Sequence, residues 1–221
     1  MSILEELLSP LTLSEFQTHY FQREAFAAPF KASFLKNTVS WSLLKEIFLS
    51  RHRNCWLPKA GCLPDEPHLN TGLLNYEQAR QGFVEGRTVL VRHAEEAHPL
   101  MTLIGTDFKR LFNKPIDIQL YCTPAQQQGF DWHYDIEDVF VIQSAGEKEF
   151  HLRRNTVSEK PYDLKKQNAD FMKEPRSQEI RCWLKAGDWL YIPAGYWHKA
   201  HAITDSYHLS VGVLTTAPLP H

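Results

Sequence analysis

Ala186-Gly187-Asp188-Trp189-Leu190-Tyr191-Ile192-Pro193-Ala194-Gly195 is a run of four large apolar residues closed on each side by a turn signal. Four such residues are too few for a helix, and the flanking glycines and proline punctuate the chain, so 189–192 is expected to be a strand. The pattern continues in both directions. Upstream lie β-rich runs at 116–122, 139–143, 148–153 and 180–185, with Ser144-Ala145-Gly146-Glu147 as a further turn; downstream lie 198–203 and 207–214. Many short strands at this spacing predict an all-β sandwich or barrel. The segment 154–179 interrupts the series. It is polar and charged, holds Pro161 and Pro175, and is too long for a hairpin turn. An insertion at the rim is expected there, where lids and substrate loops tend to sit.

The first half of the chain has a different period. Thr12-Leu13-Ser14-Glu15 has the form of a capping box, in which hydroxyl and carboxylate each satisfy an orphan backbone donor. The helix it opens would carry Phe16, Tyr20 and Phe21 on its apolar side. A second helix is expected after Ser40, with Trp41, Leu44, Ile47 and Phe48 on one face, and a third from Asn75, where Asn75 and Gln78 form another capping signal. Residues 54–71 show no period and are expected to be a loop. Thr88-Val89-Leu90-Val91-Arg92 predicts a strand, and His98 to Phe112 an amphipathic helix. The chain thus divides into a helical N-terminal region with a first strand, 1–114, and a β core, 115–216, within a single domain.

With 43% hydrophobic and 23% charged residues, the composition is that of a soluble globular protein. A net charge of −2 argues against a broadly basic nucleic-acid surface. Local basic runs such as Arg51-His52-Arg53 and Lys165-Lys166 are expected to be solvated faces. The start, Met1-Ser2-Ile3-Leu4-Glu5-Glu6, is acidic where a secretory signal is basic, and no apolar run approaches a membrane span. Cys55, Cys62, Cys122 and Cys182 form no Cys-x-x-Cys pair and are expected to be reduced thiols. These features together predict a cytoplasmic protein.

The chemistry concentrates in Asp131-Trp132-His133-Tyr134-Asp135 and Pro193-Ala194-Gly195-Tyr196-Trp197-His198. Strand residues two apart share a face, so His133 and Asp135 can point into the barrel together. His198 follows 65 residues later. Two imidazoles and one carboxylate on one side of a metal leave three positions open, the facial triad of non-haem iron(II) oxygenases. A 2-oxo acid fills two of those positions and dioxygen the third. Lys148 lies 15 residues after His133, just beyond the Ser144–Glu147 turn. A buried ammonium is costly unless it meets an anion, and the distal carboxylate of 2-oxoglutarate is a suitable one.

His133-Tyr134-Asp135, Val139-Phe140-Val141-Ile142-Gln143, Gly146-Glu147-Lys148, Gly187 to Pro193 and Gly195-Tyr196-Trp197-His198 resemble the JmjC hydroxylases of the cupin superfamily. The nearest branch is the ribosomal oxygenases, which hydroxylate ribosomal protein side chains; Ser14-Glu15-Phe16 through Tyr20-Phe21-Gln22-Arg23 resembles that branch's N-terminal helix. The resemblance implies a double-stranded β-helix, iron(II) and 2-oxoglutarate. By position it makes His133, Asp135 and His198 the metal ligands and Lys148 the carboxylate anchor. Tyr121, twelve residues before His133, matches a family tyrosine that hydrogen-bonds the cosubstrate, and Ser210 is a candidate for a similar role. The chain differs at Phe130, where some members carry a threonine. It also differs after the barrel, where that branch usually continues into a helical dimerisation region and a winged helix that these 221 residues do not include.

The expected activity is therefore an iron(II)- and 2-oxoglutarate-dependent oxygenase acting on a protein or peptide side chain. An oxygenase of a small molecule or modified nucleoside would use the same barrel, and a metal-binding cupin without turnover would need no cosubstrate anchor. The competing explanation for Tyr121 is core packing, and for Lys148 a surface position on a hairpin. The remaining histidines, His201 and His208 among them, are expected to be solvated or structural. Strand alternation turns His201 away from His198.

Overall fold

The computed structural model describes residues 2–50, 54–64, 74–157, 173 and 175–214. Five helices precede the barrel strands: α1 (Ile3–Leu8), α2 (Leu13–His19), α3 (Trp41–Leu49), α4 (Tyr76–Val84) and α5 (Pro99–Phe112). Short strands β1 (Phe26–Ala28), β2 (Cys55–Trp56) and β3 (Val89–Val91) lie between them. The β core follows as β4 (Ile116–Thr123), β5 (His133–Tyr134), β6 (Glu137–Ala145), β7 (Glu147–Arg153), β8 (Ile180–Lys185), β9 (Trp189–Ile192), β10 (Trp197–Ala202) and β11 (Ser206–Leu214).

The strands form two antiparallel sheets, one of seven strands in the order β1-β9-β6-β11-β4-β3-β2 and one of four in the order β5-β10-β7-β8. Both faces of the larger sheet are covered, so its central strands are largely buried and their alternation sorts side chains between two environments. Phe140, Ile142, Leu209, Val211, Ile118 and Leu120 face the helices and join Phe16, Ile47, Ile104 and Phe108 in the main core. Val139 and Val141 point the other way. They meet Phe150, Leu152 and Leu184 of the smaller sheet in a second cluster, together with Ile192. In β7 the alternation is strict: Lys148, Phe150 and Leu152 are buried, while Glu147, Glu149, His151 and Arg153 are partly exposed.

The helices begin where their caps put them. Thr12 and Asn75 each close a full capping box, and the Ser40 hydroxyl accepts from Leu43 N–H. Strands β8 and β9 coincide with the expected runs, β4, β6, β7, β10 and β11 differ by one or two residues at their ends, and the two-residue β5 was not among those runs. Three parts of the N-terminal region differ from expectation. Helix α1 opens with a capping box of its own, Ser2 to Glu5, and buries Leu4, Leu7 and Leu8. Strand β1, three residues long, pairs with β9 through Phe26↔Tyr191 and Ala28↔Trp189. It has no period because three residues are too few to show one. The expected loop over 54–71 contains β2, which pairs with β3; residues 65–71 of it, like most of the expected rim insertion, lie outside the described residues.

The turn between β6 and β7 depends on Gly146. Its φ is +71°, and a Cβ there would lie 1.9 Å from the Asp205 carbonyl oxygen. Replacing it imposes both a left-handed conformation on a side-chain-bearing residue and a clash with backbone that cannot move aside. Gly146→Ala is expected to lower stability by at least about 2 kcal/mol in denaturant unfolding, with the m-value unchanged.

Candidate functional site

The two histidines expected to act together are direct cross-strand neighbours. In the β5–β10 pair, His198 stands opposite His133 and Trp197 opposite Tyr134. That register puts the rings 4.2 Å apart, centroid to centroid. Asp135 follows at the end of β5, its Oδ2 3.5 Å from His198 Nε2. One ligand atom from each of His133, Asp135 and His198 lies within 4.8 Å of the others.

Backbone groups hold this arrangement. The tight turn ahead of His198 has Gly195 at φ +82°, and Gly195 N–H donates to the Asp135 carbonyl at 2.8 Å. Buried Asp138 accepts from Ala194 N–H in the same turn and from the Tyr191 hydroxyl. Each imidazole is also oriented. His133 Nδ1 lies 2.6 Å from the Asp131 carbonyl and His198 Nδ1 3.1 Å from the Tyr196 carbonyl. A carbonyl can only accept, so both Nδ1 atoms carry the proton, and Nε2 is left on each ring with a free lone pair. This is how metal-binding histidines are commonly oriented. Burial, with His198 alongside, pushes the His133 pKa down to about 4, which keeps the ring neutral. Two imidazoles and a carboxylate fit a divalent first-row metal.

These residues open onto a pocket of about 630 Å³ between the two sheets. The smaller sheet contributes His133, Lys148, Phe150 and His198, and the larger sheet Tyr121, Glu137, Val141, His208 and Ser210. Lys148 is 2% exposed, which excludes a surface lysine. Its Nζ donates to Thr123 Oγ1 at 3.0 Å, and no carboxylate pairs with it among the described residues. Desolvation therefore drives its pKa down to about 7. Tyr121 stands beside Lys148 in the pocket: its hydroxyl donates to Gln119 Oε1 at 2.7 Å, and Lys148 Nζ lies 5.8 Å from its ring centre. Burial holds the phenol protonated. Ser210 lines the same wall, and Phe130 covers the His133 ring edge-on at 5.5 Å. Near the triad, burial together with Asp135 and Asp117 pushes the Glu137 carboxyl up to about 8.

The structure thus brings together all six residues singled out in the sequence. His201 points away from the pocket, as alternation requires. Sequence reasoning missed other residues of the site, Gln119, Glu137 and His208 of the lining among them. His208 was expected to be solvated or structural, although it shares a face with Ser210 two residues on. Thr123, two beyond Tyr121, was not singled out, yet it is the hydrogen-bond partner of Lys148.

Two facing antiparallel sheets, with two histidines and a carboxylate converging at one end of the space between them, define a double-stranded β-helix of the cupin type. The JmjC domain family matches residues 106–218, and the chain belongs to that family. The histidyl-hydroxylase and lysine-specific demethylase NO66 of Dictyostelium discoideum is 35% identical over 139 residues, 60% of this chain and 26% of that protein. Ribosomal oxygenase 2 of Mus musculus is 25% identical over 95% of this chain and 47% of its own length. Among solved structures, Escherichia coli YcfD, described as a ribosomal oxygenase in complex with cobalt and 2-oxoglutarate, superposes with a TM-score of 0.65. It is 18% identical over 96% of this chain and 53% of that one, which is a likeness of fold. The chain therefore spans about half, or less, of the length of these relatives.

Lys148 makes the ligand-free fold sensitive to pH. The folded protein releases this proton near pH 7, whereas the ordinary lysine value is 10.5. Above pH 7 the unfolded chain binds more protons, so stability rises with pH across that window and falls as pH drops through 7. Lys148→Met removes this dependence. Between about pH 7 and 8.5, wild-type stability should climb relative to the variant with a slope approaching about 1.4 kcal/mol per pH unit. Parallel denaturant titrations measure it, and parallel curves would contradict a buried, unneutralised Lys148.

Proposed function

We propose that this chain is an iron(II)- and 2-oxoglutarate-dependent oxygenase that hydroxylates a side chain of a protein or peptide. The observation that carries the reading is the polarity of the pocket. Two imidazole Nε2 lone pairs and a carboxylate converge at one end, and a buried ammonium without a counter-charge waits in the same cavity. A molecule with a chelating 2-oxo acid at one end and a second carboxylate at the other complements both.

In this reading His133, Asp135 and His198 hold the metal, which when bound supplies the dioxygen chemistry that no side chain of the chain can perform. Lys148 neutralises the distal carboxylate and recovers the ordinary lysine charge as it does so. Tyr121 turns its O–H from Gln119 to the same carboxylate, and Ser210 adds a polar contact on β11. The backbone carbonyls of Asp131 and Tyr196 keep the imidazoles in the tautomer that binds metal. Val139, Val141, Phe150 and Ile192 line the pocket with apolar surface and exclude water from it. No protein nucleophile or general base is required. The choice of a protein substrate is supported by the relatives, whose names describe ribosomal oxygenases and a histidyl-hydroxylase; a cytoplasmic location belongs to the same proposal.

Anaerobic titration of the iron(II)-loaded protein with 2-oxoglutarate should produce the weak visible charge-transfer band of the chelate. His198→Ala should abolish it. Lys148→Ala should weaken cosubstrate binding by about 10- to 100-fold, as expected for loss of a charged hydrogen bond. Bound iron without a band would replace the oxygenase reading with that of a metal-binding cupin.

A further inference from the structure

His208 is a pocket residue to which the reading above gives no task. It lies on β11, 3% exposed, where the strand carries an irregularity between Tyr207 and His208 in its pairing with β6. Its ring lies parallel to that of Tyr121, with centroids 4.7 Å apart and planes 8° from coplanar. Phe150 meets it edge-on at 5.9 Å. Its Nδ1 is fully buried and has no hydrogen-bond partner. Buried polar nitrogens are nearly always paired, and the ring that carries this one lines the pocket, so the pocket is the side from which a partner for the ring can come.

The surroundings define that partner's charge. Lys148 extends into the same space from β7, its only hydrogen bond among the described residues being the one to Thr123. Burial and the neighbouring Lys148 hold His208 well below the ordinary histidine pKa, so the ring is neutral. A neutral imidazole has one N–H to donate. Beside an ammonium lacking a counter-ion, the complement of that N–H is an anionic oxygen.

We propose that His208 is a second anchor of the cosubstrate, donating a ring N–H to the carboxylate that Lys148 neutralises. The proposal rests on the reading of this pocket as a 2-oxoglutarate site and adds what Lys148 alone does not supply. An ammonium attracts an anion from any direction, whereas an imidazole clamped between Tyr121 and Phe150 offers its N–H along one line. Charge and direction together select a dicarboxylic 2-oxo acid of one length over a monocarboxylic one.

The experiment compares two ligands on iron(II)-loaded protein without oxygen: 2-oxoglutarate, and 2-oxobutyrate, which keeps the chelating end and lacks the distal carboxylate. His208→Leu should weaken 2-oxoglutarate about tenfold and leave 2-oxobutyrate unchanged. His208→Asn carries an amide near the position of Nδ1 and His208→Gln one near Nε2, so one of the two should recover the discrimination and the other should not. Equal weakening of both ligands, no weakening, or identical behaviour of the two amide variants would assign His208 to packing and overturn the proposal. Should His208→Leu fail to fold, the contrast between the Asn and Gln variants decides the matter alone. A wild-type protein that binds the two acids equally would instead overturn the 2-oxoglutarate reading on which the proposal stands.

Discussion

Everything in this molecule depends on the larger sheet being buried on both faces. A strand covered on one side can use polarity to mark which way it faces; β4, β6 and β11 cannot, because helices cover one side and the smaller sheet the other. The two faces differ instead in what they must hold. Toward the helices the residues are mostly apolar and packed, with Phe140, Trp189 and Tyr191 meeting Phe16 and Phe108 and the polar Asp138 and Ser144 held by hydrogen bonds. Toward the smaller sheet the same strands place Tyr121, Glu137, His208 and Ser210 among valines, and there the packing opens into the pocket. A slip of one residue in any of these strands would exchange the two sets, driving polar groups into the helical core. The register that builds the core is therefore also the register that builds the site.

Within that pocket, electrostatics is left unfinished. Lys148 is desolvated with a threonine as its hydrogen-bond partner, His208 has an unpaired nitrogen, and the imidazoles of His133 and His198 offer free lone pairs. Each is unfavourable by itself in a low-dielectric interior. Elsewhere in the fold buried carboxylates are satisfied, Asp138 by Tyr191 and Ala194 and Asp188 by the backbone of Phe30 and Lys185, although Gln143 Oε1, outside the pocket, is also unpaired. It is the concentration of such groups in one cavity that points to function. Where the chain tolerates unmet polar groups, a ligand is expected to meet them.

Much of this was legible in the sequence, and the limits have physical causes. Strands with a turn at each end and helices with a side-chain cap announced themselves, because turn and cap chemistry is local. The triad was legible because the spacing of His133 and Asp135 follows strand alternation; that His198 lies directly opposite His133 is a matter of register, which spacing cannot specify. Strand β1 was not legible, since its three residues are strand only by virtue of β9 beside them. His208 was missed for a related reason. A histidine in a strand has the same local sequence whether its face meets solvent, core or cavity, and only the sheet opposite decides. Helix α1 is a different case: its capping box, Ser2 to Glu5, was present in the letters, but the segment was weighed only as a possible leader.

The order of strands in the larger sheet differs from their order in the chain. Strand β11, the last in sequence, is inserted between β4 and β6, and the early strand β1 finds its partner more than 160 residues later in β9. During synthesis the N-terminal helices therefore emerge without the surface on which they will pack. The middle of the sheet stays split until its final strand arrives. Such long-range pairing makes folding slow and leaves apolar faces uncovered in the interval. It also delays the appearance of the pocket: β11 closes one of its walls and β10 brings the second histidine. A nascent chain that has delivered only β5 to β9 has neither His198 nor the closed wall, so the triad that could hold a metal is assembled only when the sheet is complete.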